Sequence, residues 1–163
     1  MRPDGKKMNI KWQDLHHSEL NAAQLYQILA LRNAVFIVEQ NCPYQDIDGQ
    51  DLTGENRHLL AMLDNQLVGY ARILAPGQAN SVVKVGRVIV SGEARGLSLG
   101  SRLMEQAIDC CEHYWPQHTI FLSAQAHLQK FYGRFGFRAV SEIYLEDAIP
   151  HIDMTKPGRT EHS

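Results

Sequence analysis

The sequence predicts an α/β (α+β) fold, a mixed sheet covered by helices, and two observations carry that prediction. Strand-like runs rich in β-branched residues alternate with segments of helical apolar spacing. Their order is strand, helix, three strands, helix, strand, helix, two strands. Helices covering a sheet in that order form an α/β or α+β sandwich. The 163 residues are also enough for one ordinary core, and no linker, repeat or low-complexity tract divides them. A single domain over 1–163 is expected, with a core of about 8–155 and loose tails at 1–7 and 157–163.

The first strand is expected within Asn9–Leu15, where Ile10 and Trp12 alternate with polar residues. Ser18 is a candidate N-cap and Glu19 favours a helix start. Ala22, Leu25, Tyr26, Ile28, Leu29, Val35 and Phe36 then share a broad apolar face, which predicts a helix. Arg32 sits near that face, as a snorkelling surface arginine or a functional one.

Glu39 to Glu55 has no periodicity. It carries Glu39, Asp46, Asp48, Asp51 and Glu55 with no lysine or arginine among them, and reads as a long acidic loop, either a solvated surface loop or one that would attract a cationic amine. Arg57–Leu63 and Gln66–Leu74 are strand-like runs joined by a turn at Asp64-Asn65. Ala75–Asn80 is a turn.

Val82–Val90 is the next strand, Ser91–Gly96 a turn, and the apolar spacing from Ser98 predicts a helix to about Tyr114, ahead of Pro116. His118–Ser123 is a strand and Ala126–Arg134 a helix stopped by Gly136. Phe137–Glu146 and Ile149–Thr155 close the chain as two strands, and Lys156–Ser163 is expected to fray.

Composition narrows the function classes. A net charge of −2 gives no general attraction to nucleic acid or to an anionic membrane surface. No apolar run approaches the ~20 residues of a spanning helix, and the start lacks the apolar centre of a signal peptide. Cys42, Cys110 and Cys111 are odd in number and two are adjacent, so a reducing cytoplasm is expected. No metal is expected either. Asp46-x-Asp48-Gly49-x-Asp51 has a calcium-loop look, but the terminal glutamate position falls on Arg57. Cys42 lacks zinc-site spacing.

The strand–turn–helix over Val82–Met104 is suited to a phosphate, because a helix N-terminus presents unpaired N–H groups and partial positive charge. It has neither the G-x-G-x-x-G of a dinucleotide site nor a P-loop Gly-Lys-Ser/Thr. What remains is Arg95-Gly96-Leu97-Ser98-Leu99-Gly100. This resembles the acetyl-CoA-binding motif Q/R-x-x-G-x-G/A of the GNAT superfamily of N-acetyltransferases. Arg95 and Gly100 match, and Ser98 stands where the first glycine is usual. Phe131-Tyr132-Gly133-Arg134-Phe135-Gly136-Phe137 resembles the family's downstream signature. Val38–Gly49, Ala124–Leu128 and Ile149–Ile152 resemble its ElaA-type branch.

The resemblance implies the GNAT fold, a mostly antiparallel central sheet splayed at its two central strands. It also implies transfer of an acetyl group from acetyl-CoA to a primary amine by direct attack in a ternary complex. Backbone N–H groups of Val88, Ile89 and Val90 would polarise the thioester. Arg95, Gly96, Leu97, Ser98, Leu99, Gly100 and Ser101 would hold the diphosphate, with Gln125 further along. The pantetheine would run between Val85–Val90 and Thr119–Leu122. Tyr132 would protonate the leaving thiolate. Lys84 and Arg87 stand where family members often carry a strand glutamate, so the candidates for the amine's proton are Glu39, His58, His127 and His151, or bulk water without a base. Arg32, Gln40, Tyr44, His58, His127 and His151 are acceptor-site candidates, for a small-molecule or peptide amine. A peptide or protein acetyltransferase and a catalytically silent CoA-binding module are the rival readings, and monomer and homodimer both stay open.

Overall fold

The computed structural model describes residues 9–77, 81–92 and 98–159. β1 (Lys11–His16) leads into a short 3₁₀ turn at His17–Glu19, and α1 follows over Ala22–Arg32. Asn21, not Ser18, caps α1. Its side chain accepts from Gln24 N–H at 2.7 Å, and the Gln24 side chain accepts from Asn21 N–H at 2.9 Å. This reciprocal pair satisfies two otherwise orphaned donors. Leu20 is extended, which breaks the chain between the Ser18 turn and the helix. Past Arg32 the helix widens to a π-helical stretch, Asn33–Glu39.

β2 (Arg57–Leu63) and β3 (Gln66–Leu74) form the expected hairpin. Asp64 and Asn65 both have left-handed φ, 51° and 65°, the pairing a two-residue hairpin turn requires. β4 (Val83–Val90), α2 (Leu99–Tyr114) and β5 (Ile120–Gln125) follow. The expected helix from Ala126 is shorter: a 3₁₀ turn, Ala126–Leu128, runs into α3, Gln129–Gly133.

The expected strand Phe137–Glu146 is broken into β6 (Arg138–Ala139) and β7 (Tyr144–Glu146), both against β8 (Ile149–Lys156). Between them Asp153 N–H donates to Ser141 Oγ at 3.0 Å, so a side chain takes the place of a ladder bond. The expected fraying is corrected for 156–159, while 160–163 lie outside the described residues. Lys156 ends β8, and Arg159 N–H donates to Pro116 O at 2.7 Å.

The strand order is β1-β2-β3-β4-β5-β8-β6, with β7 also on β8, and every pairing is antiparallel except β4–β5. Successive strand residues point to opposite faces. Leu59 and Ala71 therefore join the α2 side, with Leu103, Met104, Ala107, Cys110 and Cys111, while Leu60 and Tyr70 meet Ile28 of α1 on the other. Each fully buried side chain of this size contributes ~1.5–3 kcal/mol.

Two irregularities interrupt the sheet at one place. β4 and β5 pair only at Val83↔Ile120 and Lys84↔Phe121, and then part. Beside that parting, Tyr70 pairs with Ile89 but Arg72 with Gly86, so β4 has an extra residue at Arg87–Val88, a β-bulge. Arg87 has φ 51°.

Candidate active site

The parting of β4 and β5 opens a cleft of about 800 Å³. Its walls are Val85–Val90 of β4 and Phe121–Gln125 of β5. Thr119 and Ile120, expected beside the cofactor arm, lie at or before the paired end of the strands, so the usable wall of β5 starts at Phe121. Gly100 of α2 and Leu128, Phe131 and Tyr132 close one side. Glu39, Gln40, Cys42 and Tyr44 line another side, and Glu146, Asp147, Ile149 and His151 of the β7–β8 hairpin a third. The Cys42 thiol donates to Asp147 O at 3.4 Å, which joins those last two groups.

Most of the expected residues meet here. Val88, Ile89, Val90, Gly100, Gln125, Tyr132, Glu39, Gln40, Tyr44, His127 and His151 all line the cleft. Ser98 and Ser101 lie just outside its lining at the start of α2, and the Leu99 side chain is buried in the core. Arg95, Gly96 and Leu97 lie outside the described residues. Ser98 takes φ 62° and ψ 16°. That left-handed conformation is the one a glycine adopts without strain, so the serine keeps a glycine-like backbone at an energetic cost.

Tyr132 is only 7% exposed, with its ring edge-on to Phe131 and Phe137. Its hydroxyl has no hydrogen-bond partner among the described residues. Burial pushes its pKa up to about 12, so the phenol keeps its proton at neutral pH. Burial also pushes Tyr44 up to about 12, with Arg87 opposing the rise and Asp46 adding to it.

Two acceptor-site expectations are overturned. Arg32 is completely buried and neither snorkels nor reaches the cleft lining. Its Nε donates to Asp46 Oδ2 at 3.0 Å and its Nη1 to Asp51 Oδ1 at 2.6 Å. Burial opposes its charge, but the hydrogen bond to Asp51 and the surrounding charges raise its pKa above the usual arginine value. His58 is likewise completely buried, 2.6 Å from Tyr70 Oη and 2.8 Å from Asp51 O, and burial lowers its pKa. A histidine with both ring nitrogens held inside the protein is structural.

The acidic loop is corrected too. Arg72 spans Asp48 at 2.9 and 2.8 Å and reaches Asp51 at 3.0 Å. Arg87 reaches Asp46 at 2.7 Å and Asp48 at 3.3 Å. With Arg32, three arginines neutralise the three aspartates, and Glu55 lies 3.1 Å from His16. Burial raises the Asp48 carboxyl, but the hydrogen bonds from Arg72 and Gln50 and the charges of Arg72 and Arg87 outweigh it and hold the pKa at about 2. The loop is therefore a salt-bridged wall, not a field for cations. Its arginines come from α1, β3 and β4, outside the sequence window that looked uncompensated. The signal that could have found Arg72 and Arg87, both on the cleft wall, was an arginine inside each of two apolar strands.

Among the described residues there is no group of three or more His, Cys, Asp or Glu side chains that could hold a metal ion, and no helix long and apolar enough to cross a membrane.

The chain has clear relatives. A model of the acetyltransferase (GNAT) domain matches residues 17–157. Protein ElaA of Escherichia coli is 57% identical over 147 residues, covering 90% of this chain and 96% of that protein. The crystal structure of Escherichia coli ElaA superposes with a TM-score of 0.88 at 56% identity, covering 91% of this chain and 99% of that one. An acyl-CoA N-acyltransferase from Pseudomonas aeruginosa superposes with a TM-score of 0.88 at 50% identity, over 91% of this chain and 99% of that one. With a sheet splayed beside a bulged central strand and relatives matched over nearly its full length, this chain belongs to the ElaA-like branch of the GNAT family and is an acetyl-CoA-dependent N-acetyltransferase.

Proposed function

We propose that the chain moves an acetyl group from acetyl-CoA to the primary amine of a small molecule or peptide, with both substrates in the β4–β5 cleft at once. The observation that carries this reading is the parting of the two strands directly beside the β4 bulge, with the buried Tyr132 on the wall. The thioester supplies the acetyl group. A new N–C bond forms as the C–S bond breaks, and the chain's own residues handle the charges and protons.

The carbonyl oxygen gains negative charge as the amine attacks. Backbone N–H groups of the bulged stretch Val88–Val90 stabilise it without reorganising. The departing sulfur takes a proton from Tyr132. A phenol at about 12 is a weak acid, and a thiolate leaving in a desolvated site is a correspondingly stronger base, because burial disfavours its charged form in the same way. Glu39, also on the cleft lining, takes the amine's proton directly or through water. Gln40, Tyr44, His127 and His151 contact the acceptor, and Gln125 contacts the cofactor arm. Ser98 to Ser101 present N–H groups and the helix dipole to the diphosphate.

A thermal-shift titration tests the donor. Acetyl-CoA and CoA should each raise Tm with concentration and NAD should not, with ~2.7 kcal/mol of stabilisation at a hundredfold excess over Kd. No shift with saturating acetyl-CoA would falsify the reading.

A further inference from the structure

We infer that Arg87 is a positioning residue for acetyl transfer: by gripping the 46–48 loop it holds the β4 bulge in the shape that presents the Val88–Val90 backbone. The inference rests on the reading of Val88–Val90 as the thioester-carbonyl site. It starts from an oddity. Of the non-glycine residues with positive φ among the described residues, Arg87 alone lies inside a strand. The others, such as Asn41, Asp64, Asn65 and Asp147, sit in turns, loops or at a helix start. A long side chain gains nothing locally from the left-handed region, where its Cβ crowds the backbone. Bulges of this kind usually place glycine there. Something outside the strand must hold Arg87 in place.

The side-chain contacts supply that hold. Arg87 Nε donates to Asp46 Oδ1 at 2.7 Å, and Nη2 donates to Asp46 O at 2.9 Å and to Asp48 Oδ2 at 3.3 Å. The anchor points are themselves fixed. Asp46 is held by the fully buried Arg32, and Asp48 by Arg72. Arg72 pairs across the sheet with Gly86, immediately before the bulge. The loop therefore grips both strands where the ladder slips by one residue. Charge-assisted bonds to a carboxylate that cannot move restrain a guanidinium in position and direction. Arg87 lines the cleft, but its Nε and Nη2 donate to the loop, and through them it holds the backbone that follows it.

The test needs no acceptor. Isotope-edited infrared spectroscopy reads the thioester carbonyl of acetyl-CoA labelled with carbon-13 at the carbonyl. On the unaltered protein, N–H donors should lower its stretching frequency relative to the free cofactor. Arg87→Ala should lose most of that lowering while its Kd for CoA changes by less than about threefold, since CoA lacks the acetyl carbonyl. Arg87→Gly, which accepts positive φ without an anchor, should keep clearly more of it than Arg87→Ala. Arg87→Met, of similar length, replaces the alanine variant should that chain not fold, with the same loss expected. An Arg87→Ala spectrum equal to the unaltered protein's would overturn the inference. So would an Arg87→Gly loss as complete as alanine's, because the backbone conformation would then not be what the side chain protects. No lowering in the unaltered protein would instead overturn the carbonyl-site reading, and the inference with it.

Discussion

Tyr132 and Arg32 are both buried, and their surroundings decide what burial does to each. Tyr132 packs edge-on against Phe131 and Phe137, and desolvation raises its pKa, so the proton stays on. Around Arg32 there are two carboxylates, and the charge survives in the core. A protonated phenol on a cleft wall, with no partner for its hydroxyl among the described residues, is ready to donate. Tyr132→Phe should therefore lower turnover about 10²-fold while leaving the acetyl-CoA thermal shift unchanged. Release of CoA thiol against a panel of primary amines measures this, and undiminished turnover would remove Tyr132 from the mechanism. Tyr132 and Glu39 were legible as candidates because the motifs and the end of the first helix bracket them. Arg32 and His58 were misread because a polar side chain near an apolar face looks the same in sequence whether it faces water or a buried aspartate.

At the scale of elements, the boundaries written by local chemistry came out as read. Asp64-Asn65 turns, α2 stops at Tyr114 ahead of Pro116, and β4 ends at Val90. The elements misread were those whose ends depend on partners. The 137–146 strand breaks because Ser141 replaces a ladder bond, and the chain at 156–159 is tied to Pro116. The start of α2 carries a prediction. Ser98 sits at φ 62°, where a residue with a Cβ is disfavoured by roughly 1–2 kcal/mol. Glycine avoids that strain but loses roughly 0.5–1 kcal/mol through its freer unfolded chain. Ser98→Gly should thus stabilise by about 0.5–1 kcal/mol, or ~1–4 °C in Tm for a chain of this size. Acetyl-CoA binding should survive, because the N–H groups stay. Calorimetry showing a lower Tm would mean the serine side chain contributes something the backbone does not explain.

Across the whole molecule, the buried arginine–aspartate network and His58 make acid the condition to which the fold is sensitive. His58 titrates from 6.5 in the unfolded chain and lower in the folded one. Between those values the unfolded state binds more protons, so stability falls as pH drops below about 6.5. Asp48 and Asp51 are held below their ordinary 3.8, Asp48 at about 2. Their contribution is present above about 3.8 and is lost as pH falls below it, that of Asp48 as pH nears about 2. Urea midpoints between pH 7.5 and pH 5 should decline for the unaltered chain and decline less for His58→Gln. Parallel declines would show that His58 is not the group responsible.

The sequence by itself determined the fold class, the order of elements, the family and most of the residues around the cleft, because periodicity, turn chemistry and two spaced motifs are local patterns. Only the tertiary structure decided the fate of charge. Asp46, Asp48 and Asp51 looked like an open acidic field, and they face arginines from α1, β3 and β4 that lie 14 to 41 residues away along the chain. Which carboxylate meets which guanidinium depends on how the sheet and α1 pack around that loop, and no local spacing records it.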